Sequence, residues 1–168
     1  MNLRAPLVCV AIALAAFLPG CATTTPAQWQ SASVAVGNER LLLEVTEIAL
    51  RKTGFPVGAG LDPTHLRATS GWKISLAPFK GKGWRERATV QYHRESNGKY
   101  LASVRVERER NDDIVRPMDL TYAQWESDPD NTERAGVLLH FVQALLHTGD
   151  EVLESPKSSS AKSSPKDS

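Results

Sequence analysis

Four histidines, His65, His93, His140 and His147, are the first side chains to test for chemistry. His140 and His147 stand seven apart in an apolar-periodic stretch, so a helix carries both on one side. A helical zinc pair has a spacing of four, and no cysteine or close carboxylate completes a ligand set. Solvated or half-buried imidazoles fit that spacing better. Paired carboxylates occur in "NDD" and "DPD". Turn and cap roles account for Asp112, Asp113, Asp128 and Asp130, and no apolar pocket is in view to make one of them a general acid. The glycine-rich "FKGKGWRER" gathers Lys80, Lys82, Arg85 and Arg87. It lacks the Walker spacing, and strands rather than a helix N-terminus flank it, so a hairpin loop is expected there. Serines are abundant, but no G-x-S-x-G elbow occurs. No cofactor, metal or catalytic constellation follows, and the chain is not expected to be an enzyme.

The two cysteines, Cys9 and Cys21, belong to the opening of the chain. After Arg4, the run "APLVCVAIALAAFL" carries no charge. It is too short to span a hydrocarbon core, which needs about 20 residues, and reads as the apolar region of a secretory signal. The signal ends in Leu18, Pro19, Gly20 and Cys21, which resemble the bacterial lipobox. The resemblance implies cleavage before Cys21, lipid on its thiol and acyl chains that hold the protein to a membrane. Ala22 stands where an inner-membrane retention signal would have Asp, so the resemblance points to the outer membrane, on its periplasmic side. Two or more acyl chains anchor stably where one does not.

Removing residues 1–20 takes away Arg4 alone among the 20 basic side chains and leaves 19 against 19 acidic ones. A balanced chain carries no argument for a nucleic-acid partner. With Cys9 discarded and Cys21 lipidated, neither a disulfide nor thiolate chemistry is expected. Four parts follow: the signal at 1–20, a tether at 21–36, a globular domain at 37–153 and a tail at 154–168. The tail, rich in Ser, Lys and Pro, cannot bury a core and is expected to be disordered.

The elements that must position any site read as follows. "NERLLLEVTEIALRKTGFP" predicts a helix capped by Asn38, with Leu41, Leu42, Val45, Ile48 and Ala49 as its apolar stripe. Gly54 fits the left-handed position after it, Phe55 folds back and Pro56 stops it. Three alternating strands follow. Trp72, Ile74 and Leu76 form the inward set of the first, Trp84, Ala88, Val90 and Tyr92 of the second, and Tyr100, Ala102, Val104 and Val106 of the third. A two-residue turn at Asn97-Gly98 would throw the last two apolar sets out of phase. A three-residue loop, Ser96 to Gly98 with Gly98 left-handed, pairs Tyr92 with Ala102 and sets Arg87 opposite Glu107 and Arg85 opposite Glu109. Residues 111–127 look irregular, with Met118, Leu120, Tyr122 and Trp125 folding over a core edge. A final helix, capped by Asp128 or Asp130, carries Leu138, Phe141, Val142 and Leu145 inward and ends at Gly149. The fold class is α+β: an antiparallel sheet of three or more strands with an N-terminal and a C-terminal helix packed on one face.

Trp72, Arg85, Arg87 and this order of elements make residues 37–149 resemble BamC-type helix-grip domains. These belong to lipoproteins of the machinery that assembles outer-membrane β-barrels. The resemblance implies the fold, and it carries over no functional residue. Lipid anchoring and the lack of catalytic groups together imply a non-enzymatic interaction or assembly module. Its partners would be the membrane, through Cys21, and an envelope protein. Trp29 and Trp125, with Lys80 and Lys82, are the candidate contacts for that protein, because tryptophan anchors interfaces. The alternatives are a carrier holding a small apolar ligand between helices and sheet and an envelope enzyme of unknown class.

Overall fold

Two long strands dominate the sheet, and their register follows from one turn. In the computed structural model, which describes residues 26–58, 60–76 and 82–154, β5 (Trp84–Arg94) and β6 (Tyr100–Asn111) pair antiparallel. Tyr92 faces Ala102, Val90 faces Val104, Arg87 faces Glu107 and Arg85 faces Glu109, the pairing predicted from the three-residue loop. Gly98 is left-handed (φ 82°), and its N–H donates to the Glu95 carbonyl at 3.1 Å. Gly98→Val should therefore cost about 1–3 kcal/mol, the penalty of a disfavoured backbone region. A Cβ there meets nothing within 4 Å, so the cost is one of backbone conformation alone. Ser96→Ala should cost less than about 0.5 kcal/mol. Equal denaturant midpoints for the two variants would contradict the turn assignment.

Around this hairpin lie β1 (Gln30–Val34), β2 (Gly60–Asp62), β3 (Arg67–Thr69), β4 (Lys73–Ser75) and β7 (Trp125–Asp128). The seven-stranded antiparallel sheet has the order β1-β6-β5-β3-β2, with β4 added to β5 and β7 to β6. The segment expected as a tether over 21–36 thus contributes a strand. Ala32 and Val34 alternate inward beside Ala102 and Tyr100, and backbone pairing makes Gln30–Val34 part of the domain. Residues 1–25, and with them Cys21, lie outside the described residues, as do Lys80 and the expected tail beyond Glu154.

Helices α1 (Glu39–Lys52) and α2 (Thr132–Glu154) cover one face of the sheet. Asn38 caps α1 by accepting the Arg40 N–H, Gly54 is left-handed (φ 77°), and the buried Phe55 returns its N–H to the Leu50 carbonyl at 2.9 Å. The inward stripe of α1 differs from the expected one. Leu42, Thr46, Ala49 and Leu50 are buried, whereas Ile48 faces solvent. The core accepts Thr46 because its hydroxyl is satisfied by the Leu42 carbonyl (2.7 Å) and the Tyr92 hydroxyl (2.5 Å). Burial pushes the Tyr92 hydroxyl up to about 12. In α2, Ala135, Leu138, Leu139, Val142 and Leu146 are buried, while Phe141 is exposed on the rim and the helix runs past Gly149. Asn131 rather than Asp128 or Asp130 caps this helix, accepting the Arg134 N–H at 3.0 Å. Asp130 is drawn away by the Gln28 N–H and Arg105.

Candidate functional site: the helix-free face of the sheet

Side chains at odd positions of β5 and β6 point away from the helices, because successive residues of a strand alternate between its faces. That face carries Arg85, Arg87, Thr89 and Gln91 on β5, opposite Glu109, Glu107, Arg105 and Ser103 on β6. Arg87 donates to Glu107 from both Nε (2.9 Å) and Nη2 (2.8 Å), and Arg85 donates to Glu109 from Nε at 2.5 Å. Arg105 bridges Glu107 (3.3 Å) and the buried Asp130 (2.7 Å).

Three of the four tryptophans gather on this ladder. The Arg85 guanidinium lies 4.3 Å from the Trp72 ring and 4.7 Å from that of Trp125, and Arg87 lies 4.6 Å from Trp72. Arg85 is thus held between two indoles. Trp29, 37% exposed, walls a recess of about 160 Å³ with Arg67, Thr69, Arg87, Thr89, Arg105 and Glu107. Arg67 has no carboxylate partner among the described residues, so the recess offers an unpaired guanidinium beside an indole.

The placement of Trp72 corrects the inward set expected for the first strand. Lys73 pairs with Glu86 on the helix side, so Trp72 and Ile74 fall on the helix-free side. The parity follows from the neighbours. The Lys73 ammonium approaches the Phe55 ring at 5.7 Å and the Thr53 carbonyl at 3.4 Å, while Trp72 gains two guanidinium stacks. Burial, then repulsion from Arg134, holds the Lys73 ammonium below its ordinary range. Trp84 keeps its expected helix side, with Arg134 and Arg108 at 5.5 Å and 5.8 Å.

Of the candidate contacts, Trp29 and Trp125 meet this face, and Lys82 does not: it pairs with Asp112 at the end of the sheet. His93 lies at the turn end of this face, opposite Leu101, and His65, His140 and His147 stand apart from it. His65 pairs with Asp62 at 2.6 Å, and His140 and His147 line a separate surface groove with Ser33 and Val34. Among the described residues no group of three or more His, Cys, Asp or Glu could hold a metal. The face therefore offers flat indole and guanidinium surfaces for contact. No family model matches the chain, and no curated protein matches it.

Proposed function

We propose that the chain is a lipid-anchored outer-membrane protein facing the periplasm, a non-enzymatic interaction or assembly module that grips an envelope protein with the helix-free sheet face. One observation carries this reading: the helices cover a single face of the sheet, and Trp29, Trp72 and Trp125 collect with Arg85 and Arg87 on the other. Tryptophan and arginine are the residues from which interface anchors are most often built. The lipobox resemblance supports the address. The carrier alternative needs space between helices and sheet, where Leu42, Leu50, Val90, Tyr92, Val104, Leu138 and Val142 fill the interface.

Two measurements test the reading. Cys21→Ser should move the protein from carbonate-washed membranes to the soluble fraction, since no helix among the described residues is long and apolar enough to cross a membrane. Retention of the Ser variant would contradict the anchor. Pull-down from detergent-solubilised envelopes should recover a stoichiometric protein. Trp29→Ala/Trp125→Ala should weaken that capture about 30-fold, the loss from one hot spot of ~2 kcal/mol. Repeated recovery of nothing, or capture indifferent to the double substitution, would reject this face as the interface.

A further inference from the structure

Residues 112–124 join β6 to β7 and break the usual rule for a loop, whose apolar side chains turn inward. Ile114 and Val115 are each 80% exposed, Met118 and Leu120 are each 51% exposed, and Tyr122 is also exposed. Met118, Leu120 and Tyr122, expected over a core edge, are exposed instead. Val115, Met118 and Leu120 line one open patch with Leu76.

The loop is held in shape by its polar residues. Asn111, 1% exposed, accepts the N–H groups of Asp113 (3.0 Å) and Gln124 (3.0 Å) and donates to the Pro117 carbonyl at 3.3 Å. The Asp113 carboxylate accepts from Val115 and Arg116, bonds that hold it below the usual carboxylate range. Asp119 accepts from Thr121 and caps the short 3-10 turn Leu120–Tyr122, and Arg116 stacks on Tyr122 at 3.2 Å. Asp112 is taken by Lys82. Polar groups thus brace the loop, and Ile114, Val115, Met118 and Leu120 are left on its outside beside Arg116 and Asp119.

The position of the loop points to its occupant. The chain joins the sheet at Gln30, opposite Val104, and β1 runs toward Tyr100. The residues before Gln30 therefore lie toward the other end of β6: Gln28 bonds Asp130, and Trp29 walls the recess beside Arg105 and Glu107. β6 reaches Asn111, where the loop begins, about 23 Å beyond Val104 at ~3.3 Å per residue. The nine residues from Cys21 to Gln30 span at most about 30 Å. A lipid on Cys21 is thus within reach of the end of the sheet that carries the apolar loop.

We infer that this loop is a membrane-contact element: Ile114, Val115, Met118 and Leu120 enter the headgroup–acyl boundary of the bilayer to which the chain is anchored, with Tyr122 at the interface. The inference rests on the anchored reading above. It gives the lipid a second point of attachment, and two points orient the domain, leaving the Ser96–Gly98 turn directed away from the bilayer. Arg116 lies between the Asp113 and Asp119 carboxylates, so the loop carries no net positive charge and contact should need no anionic lipid.

The test supplies its own anchor, so that its failure is separate from failure of lipidation. The chain from residue 22 onward, carrying an N-terminal hexahistidine tag in place of Cys21, has no cysteine. It is held on phosphatidylcholine vesicles containing a nickel-chelating lipid. Val115→Cys, labelled with an environment-sensitive nitrobenzoxadiazole, should give blue-shifted emission that is quenched by lipids brominated on their acyl chains. Asn97→Cys, labelled in the same way at the opposite end, should give neither change. Adding Ile114→Asp and Met118→Asp to the Val115 probe should abolish both signals, while circular dichroism of the triple variant checks that the fold persists. A Val115 probe that stays water-exposed on the vesicles overturns the inference. So does burial of that probe without vesicles that grows with protein concentration, which would make a second copy the occupant. Burial only on addition of solubilised envelope protein would assign the loop to a protein partner and overturn it equally.

Discussion

Arg134→Ala is expected to destabilise the domain by about 3 kcal/mol, the lower end of the 3–5 kcal/mol range for breaking a buried ion pair. Glu86 is 2% exposed, on the helix side of β5. Its carboxylate is bonded by Arg134 and by the Asn131 amide, the latter at 2.8 Å. Removing Arg134 leaves the carboxylate buried with the amide and the nearby Lys73, and these two partners keep the loss at the lower end. Arg134 also stands 5.5 Å from the Trp84 ring and 5.8 Å from Phe55, so part of the cost is lost packing. The pair ties the first turn of α2 to the sheet end where β4 joins. Glu86→Gln should cost less, because an amide can stay buried without a counter-charge. Glu86→Gln/Arg134→Ala should recover part of the Arg134→Ala loss. Denaturant melts of the four proteins form a double-mutant cycle. An Arg134→Ala midpoint equal to that of the unaltered chain would show that Glu86 does not depend on this partner.

What could be read from the sequence depended on which physical constraint acted locally. The β5–β6 register was legible because one slipped residue would reverse every side chain, and the apolar sets and charged pairs agreed on a single loop length. The start and stop of α1 were legible because Asn38, Gly54 and Phe55 act within a few residues of the helix end. The inward stripe of α1 was not. Hydrophobicity favours Ile48 over Thr46, and only the Tyr92 hydroxyl, brought in by the sheet, explains the choice of Thr46. The same limit hid the Trp72–Arg85–Trp125 stack. Alternation in "GWKIS" marked a strand correctly, but its parity was set by the Lys73–Glu86 pairing and the guanidinium stacks, contacts distant in sequence. Strands β2 and β3, three residues each, are too short for period-two alternation to register. The exposed loop defeated the rule that apolar residues turn inward, and a local rule fails most often at functional sites.

Arg85→Ala should cost about 2–3 kcal/mol: two stacks at ~0.5–1 kcal/mol each, more where half-desolvated, and an ion pair of at most ~1 kcal/mol. The side chain is one-quarter exposed, so its electrostatic contributions are only partly screened. Arg85→Lys separates the parts. Lysine keeps the charge for Glu109 but lacks the planar guanidinium that fills the space between Trp72 and Trp125. About 1–2 kcal/mol should therefore be lost even with the charge retained. Arg87→Ala should cost less than Arg85→Ala, since Arg87 stacks on one indole instead of two. Denaturant melts followed by tryptophan emission read the stack directly, because Trp72 and Trp125 lose the cation between them. Arg85→Lys melting with the unaltered chain would refute the stacking account. The same variant bears on function. If the stacked indoles form the contact platform, Arg85→Lys lowers capture of the envelope partner under conditions where the domain remains folded. If they only brace the sheet, stability falls while capture by folded protein stays unchanged, and the interface must then centre on Trp29 and the Arg67 recess.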